Sequence, residues 1–540
     1  MLARMFVGGA VGMADNYDGH RLMCQLGVAP HAIPASQSLW SYITPQYDAY
    51  KWFGEACSAG GSGQPFLSTE YFPLWVAKQL TWLFGLPGAL DLRMLGPVFA
   101  VGVAGAVGWT VRELAGPTWA RVLIASAVGL VAVDSAVAPY FISPFSEPAG
   151  LIGMLLLVPA LLRLLSREHV RVRDVVVVVA ITLWTIGASV QLAGLLFVIV
   201  PVLLVRPGIQ LRILSSGRGV VRVVGGFFAR MPALIACLVM VGAAVGFMQV
   251  QSRWVDELDL YHDVFSDVLG HSSDVPADLQ ALKLPTSLAS AAGSSIVGSD
   301  SAVYSPQYAY FATHATFGDV VKFYGTHPVT LFGVADRGLD GLAASRPSYL
   351  GNYLASSGAA AGEQECRFCV ASAAFTLTEP FRWVVIPGMW LAGIFCGIRL
   401  ARKRKLPARA RGVGIVLAAV AAATFVEFWV VMVTEGDSDV AKNLVFVLLG
   451  TMLLGPLGGA AVAASDARVE ARGGAEIRAK RRVGRRVERV ESAEGVELAE
   501  SVGDASAAKL GERVELAEPA LPRQARDEDG ASVDSSGGVS

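Results

Sequence analysis

Charge is scarce in this chain: 16% of its 540 residues are Asp, Glu, Lys or Arg, against about a quarter in a soluble globular domain. That deficit excludes a water-soluble enzyme. Neither sign dominates, because 44 Lys and Arg nearly cancel 45 Asp and Glu, so no bulk positive charge advertises nucleic acid as a partner. Cysteine is sparse at six residues, and no solenoid-type repeat is visible. What the chain has instead is apolar surface. Hydrophobic residues make up 53% of it and come in runs near about twenty long, the length that crosses a bilayer core as a helix.

The expected fold class is therefore an all-α polytopic membrane protein with about ten transmembrane helices. The runs are Leu2 to Ala14, Leu92 to Leu114, Ala120 to Phe141, Glu147 to Leu165, Val175 to Val190, Leu192 to Val205, Pro232 to Val250, Arg382 to Leu400, Val413 to Val433 and Asn443 to Ala464. The first is too short to span, which reads as a helix stub or as a start codon placed inside a longer first helix. The fifth and sixth are short and separated only by Gln191, as in a kinked or re-entrant pair.

Lys and Arg set the expected orientation. Arg163, Arg167, Arg171 and Arg173, the stretch from Arg206 to Arg230, and the cluster Arg402, Lys403, Arg404, Lys405 fall on one side by alternation, which marks that side as cytoplasmic. The N- and C-termini are expected there too. Two large segments, 15–91 and 251–380, and the tight turns Ser143 to Glu147 and Glu435 to Lys442 fall on the outer side. Residues 1–464 form the transmembrane domain in this reading. Residues 465–540 turn to Arg, Glu, Ala, Ser and Gly with few aromatics, a composition expected to give a largely disordered cytoplasmic tail.

Cys24, Cys57, Cys366 and Cys369 lie on the outer side, where oxidation is favoured. Disulfides from Cys24 to Cys57 and from Cys366 to Cys369 outrank a zinc site, which would need four ligands where one Cys-x-x-Cys stands alone. No metal site is assigned, and a need for a divalent metal stays open. Gly102, Gly105 and Gly108 lie inside an apolar run, where small residues let helices pack closely; a dinucleotide loop would need a preceding strand.

Acidic residues at the edge of a span are costly unless used or neutralised. Asp15 and Asp18 follow the first apolar run within Ala14-Asp-Asn-Tyr-Asp-Gly-His20, with Arg21 next; Glu147 ends the turn Ser143-Pro-Phe-Ser-Glu-Pro148. Each has a structural alternative, as a helix cap or a helix-start carboxylate. Further along stand Lys322-Phe-Tyr-Gly-Thr-His327, Asp336-Arg337, Arg346-Pro-Ser-Tyr349-Leu-Gly-Asn352-Tyr353 and Gln364-Glu-Cys-Arg367-Phe-Cys369.

This arrangement resembles the C-type (GT-C fold) glycosyltransferases, and the second outer segment looks like the actinobacterial WsfD-type glycan biosynthesis hexose transferases. The likeness covers the spans and both outer segments but not the tail. It implies an inverting single displacement that moves a hexose from a polyprenyl-phosphate donor to an extracytoplasmic glycan or lipid acceptor. Asp18 or Asp15 would serve as base, with Glu147 as a second carboxylate. Cations are needed for the departing phosphate, and guanidinium groups suit it. Arg346, Arg337, Arg367, Arg382 and Lys322 are the candidates, with His327 and His314 as hydrogen-bonding groups. Aromatic stretches around Trp40, Tyr47, Trp52, Tyr71, Phe72, Trp75 and Trp82 fit helices lying along the outer interface. The expected partners are the lipid-linked donor, the acceptor and membrane lipid, without nucleic acid. Competing readings are a transporter or flippase of lipid-linked glycan, a non-catalytic scaffold of envelope assembly, and a polymerase or ligase of lipid-linked glycans.

Overall fold

In the computed structural model the described residues are 1–13, 19–30, 43, 46–49, 66–85, 87–167, 170–205, 220–251, 253–296, 298–435 and 439–465. Short helices α1 (Leu2–Phe6), α2 (His20–Gln25) and α3 (Tyr71–Leu83) come first. A bundle follows from α4 (Leu95–Glu113), α5 (Thr118–Val133), α6 (Glu147–Leu165), α7 (Val172–Ile186), α8 (Leu196–Val205) and α9 (Val220–Val250). The next segment carries α10 (Arg253–Tyr261), α11 (Val275–Ala281), α12 (Tyr308–His314), α13 (Phe317–Thr326), α14 (Pro328–Ala344) and α15 (Val370–Thr378). The bundle is completed by α16 (Arg382–Arg402), α17 (Ala408–Thr434), the turn α18 (Val440–Asn443) and α19 (Val445–Ser465).

Among the described residues, six helical stretches are long and apolar enough to cross a bilayer: Leu92–Glu113, Glu147–Leu165, Met231–Val250, Val370–Arg402, Ala408–Thr434 and Val445–Ser465. Two shorter apolar helices, Thr118–Val133 and Val190–Leu204, pack with them. Burial separates their roles. In α6, 89% of the apolar window lies inside the protein, whereas in α9 only 22% does. Helix α6 is the hub, packed by α4, α7 and α17, and α9 turns most of its apolar side chains outward, as a helix bathed in lipid does.

Three expectations are corrected. The run Leu2 to Ala14 is not one helix: α1 stops at Phe6, Gly8 and Gly9 take φ of +81° and +106°, and the chain enters strand β1 (Val11–Met13). Only glycine adopts that backbone at little cost. Helix α5 ends at Val133, short of the expected Phe141, so Asp134 lies beyond it. There its carboxylate accepts from the amides of Ala136 at 3.1 Å and Ala371 at 2.8 Å, the latter at the start of α15. Of the three glycines in α4, only Gly102 meets a neighbour closely: a Cβ there would stand 2.9 Å from Ile152, while Gly105 and Gly108 face open space. Steps of three residues rotate around a helix by about 60° each, so three such glycines cannot all face α6.

Among the described residues two small sheets lie outside the helices. Strand β1 pairs antiparallel with Leu350–Tyr353, Val11 opposite Tyr353. Strands Val28–Pro30, Gln46–Ala49 and Leu90–Asp91 form the other, in that order. The first sheet is held by Glu365, a side chain with 0% exposure. Glu365 is ion-paired with Arg4, and Arg346 approaches it at 3.8 Å. Arg346 also donates to the carbonyls of Ser135 at 2.9 Å and Glu365 at 2.6 Å. Arg367 donates to the carbonyls of Arg4, Gly8 and Gly9.

Glu365→Leu should therefore strand two buried guanidiniums, a loss of about 3–5 kcal/mol. Thermal unfolding of the full chain in detergent will show a lowered midpoint, part of which Arg4→Met recovers in the same background. An unchanged midpoint would show that this buried pairing contributes nothing to stability.

Candidate functional site

The turn before α6 reads Ser143-Pro-Phe-Ser, and Pro148 occupies the first helical turn, where its missing N–H costs nothing. Glu147 opens the helix at 5% exposure. Its Oε1 lies 3.7 Å from Nζ of Lys442, itself buried, and that ammonium sits 4.6 Å above the Phe145 ring. Lys442 is brought there by α18, which starts from Asp439 in the left-handed conformation, φ 56°. Tyr349 donates its hydroxyl to Asp439 Oδ2 and turns its ring edge toward Phe145 at 6.4 Å. The turn before α6, the turn after α17 and the second large segment thus meet over one helix end.

The first large segment arrives as well. A Cβ on Gly19 would stand 2.5 Å from Pro144, so the backbone at Gly19 lies directly against the turn that carries Glu147. Arg21 follows, close enough to Glu435 and Glu147 for their charges to act on it, and its guanidinium covers the Phe66 ring at 5.5 Å. The side chain of Gln191 donates to Glu435. Glu70, fully buried, lies near the backbone amide of Ala149 in the first turn of α6 without a hydrogen bond to either carboxylate oxygen among the described residues; there the helix presents unsatisfied N–H groups and a positive dipole end.

Burial governs the protonation of this region. It pushes the Lys442 ammonium down to about 7. It raises the carboxyls of Glu70, Glu435 and Asp439, opposed at Glu435 by Gln191 and Arg21 and at Asp439 by the Tyr349 hydroxyl. The Tyr140 and Tyr349 phenols are raised by the same desolvation, and the Arg21 guanidinium is lowered by it.

Of the residues singled out in the sequence, Glu147 stands at the centre of this cluster. Asp15, Asp18 and Cys57 lie outside the described residues. The expected cations are elsewhere, each with an internal partner. Arg346 is committed to Ser135 and Glu365, Arg337 to Asp267 at 3.1 Å, and Arg382 to Asp336 at 2.9 Å and Asp340 at 3.1 Å. Lys322 is exposed, 3.8 Å from Asp319. His327 stacks on Phe323 and His314 on Tyr310, both at 4.0 Å. Cys366 and Cys369 are bridged; Cys24 is also disulfide-bonded, while Cys237 and Cys396 are free.

Lys442, Glu435, Asp439, Glu70 and Gln191 were not singled out. The signal for the first three was available: they occupy a short turn between two apolar helices, a position that leaves charged side chains little room except over the bundle. Glu70 carries no such mark, whereas Gln191 is marked as the polar residue between two short apolar runs.

Comparison with curated proteins and with solved structures gives no match. A family model described as YfdI N-terminal transmembrane domain matches residues 1–462, a span that takes in α1 through most of α19 and every residue of the cluster around Glu147. The chain is thus a membrane protein belonging to the YfdI N-terminal transmembrane domain family.

Proposed function

We propose that this chain is a membrane glycosyltransferase of the C type, moving a hexose from a polyprenyl-phosphate donor to an extracytoplasmic glycan or lipid acceptor. The observation that carries this reading is the buried Glu147–Lys442 pair, set among Arg21, Glu435, Asp439 and Tyr349 where three outer segments meet the end of α6. Acids and cations side by side at a bilayer boundary suit a reaction that needs a proton acceptor and a phosphate clamp together.

In the proposed displacement the acceptor oxygen forms a bond to the anomeric carbon while the carbon–oxygen bond to phosphate breaks. The acceptor's proton passes to a carboxylate, Asp18 or Asp15. The electron pair leaves on the phosphate, which Arg21 and Lys442 stabilise. This replaces Arg346, Arg337, Arg382 and Lys322 in the clamp. Glu147 orients the acceptor hydroxyl and holds Lys442 in place. Gly19 packs on Pro144 of this turn.

In membranes supplied with a polyprenyl-phosphate hexose, Asp18→Asn and Glu147→Gln should each lower transfer by roughly 10²–10⁴-fold. Full transfer by both variants at normal protein levels would remove Asp18 and Glu147 from the mechanism. The pH dependence follows from Lys442: with its ammonium pushed down to about 7, it carries charge below that pH and loses it above. Donor KM should accordingly rise as pH increases past neutrality. Lys442→Arg keeps its charge throughout and should abolish that rise; an identical KM profile in the variant would take Lys442 out of the phosphate clamp.

A further inference from the structure

The run from Val175 to Val205 is broken in the middle. Helix α7 ends at Ile186, a 3₁₀ turn covers Val190–Leu195, and α8 resumes at Leu196. The carbonyls freed by the break are satisfied from outside: Thr69 donates to Trp184 and Gly187, and Ser68 to Ala188. The side chains facing the break are not. Glu427 of α17 is 2% exposed, and neither of its carboxylate oxygens has a hydrogen-bond partner among the described residues. Gln191 Oε1, buried in the 3₁₀ turn, has none either.

Geometry puts these atoms on one seam. Residues three apart in a 3₁₀ helix share a face, so Gln191 and Gly194 point the same way. Gly194 meets Glu427: a Cβ there would stand 2.8 Å from Glu427 Oε2. Three buried acceptor oxygens therefore line the break without a donor to serve them. The charged groups nearest this end of α17 are Glu435 on the same helix, Glu147 on α6, Asp439 and Lys442 in the following turn, and Arg21. Of these, Glu435 borders the site: the Gln191 side chain donates to it, and its charge acts on Glu427. An uncompensated carboxylate inside a bundle is costly, and an unwound helix facing an acid is how membrane proteins hold small cations.

We propose that Glu427, Gln191 and the broken helix at Gly194 form a binding site for one monovalent cation, sodium or a proton, inside the bundle. The site goes beyond the transferase reading and does not depend on it. Its chemistry is that of three acceptor oxygens, two from Glu427 and one from Gln191, whose amide N–H is turned to Glu435, closed on one side by the Gly194 backbone.

The test uses the full chain in lipid nanodiscs. Thermal midpoints are measured in sodium chloride and in choline chloride of equal ionic strength, and infrared difference spectra of unaltered protein against Glu427→Gln are recorded at neutral pH. A midpoint that rises with sodium in the unaltered protein, but not in Glu427→Gln or Gly194→Ala, identifies sodium as occupant. A protonated-carboxyl band that disappears in Glu427→Gln, without a sodium response, identifies a proton. Absence of both overturns the site, whatever the sugar-transfer assay shows.

Discussion

A carboxylate and an ammonium, Glu147 and Lys442, lie buried together at one end of a helix that is itself surrounded by protein. Neither would be stable there alone, since an isolated charge removed from water costs several kcal/mol (~) even after relaxation. The pairing fixes where the loop after α17 must run, because Lys442 reaches Glu147 only if α18 folds back over Phe145. That path places Asp439 against Tyr349 and ties the second large segment to the same end. The central helix thus organises more than the bundle: its first turn is the point on which loops distant in sequence converge.

The remaining polar groups obey the same constraint. With no water in the hydrocarbon region, a backbone or side-chain group must find its partner within the protein or at a helix end. Asp174 gathers Arg163 at 2.8 Å and Arg167 at 3.0 Å at the far end of α6. Asp134 serves the amides that start α15, and Glu365 serves Arg4 and Arg346. Each of these carboxylates has a guanidinium or an amide as partner. Glu427 has no hydrogen-bond partner among the described residues, and this separates it from them.

Of the ten expected runs, six are, among the described residues, helices long and apolar enough to span; those were legible because hydrocarbon thickness imposes a length, and the break near Gln191 was legible because two short runs flank it. Helix ends were read less well. Val133 and Phe6 end helices for local reasons, a capping carboxylate downstream in one case and paired glycines in the other, that an apolar count does not register. Glu147 stands out in the sequence as a carboxylate next to a span, and the structure places it beside Lys442. The surroundings of Arg346 were not legible, because a guanidinium that binds phosphate and one that binds two carbonyls have the same sequence; the positions of Ser135 and Glu365 are what the structure adds.

The sign of the charge around Glu147 bears on what can enter. Among the described residues Glu70, Glu147, Glu435 and Asp439 outnumber Lys442 and Arg21 there, a balance that would repel the phosphate of the proposed donor if every carboxyl were ionised. Burial shifts Glu70, Glu435 and Asp439 toward their neutral forms, so desolvation weakens the repulsion without removing the groups. A neutral carboxyl is also a hydrogen-bond donor, which an ionised one cannot be. The same exclusion of water that makes this end costly to fold is what would let acidic side chains and a phosphate occupy it together.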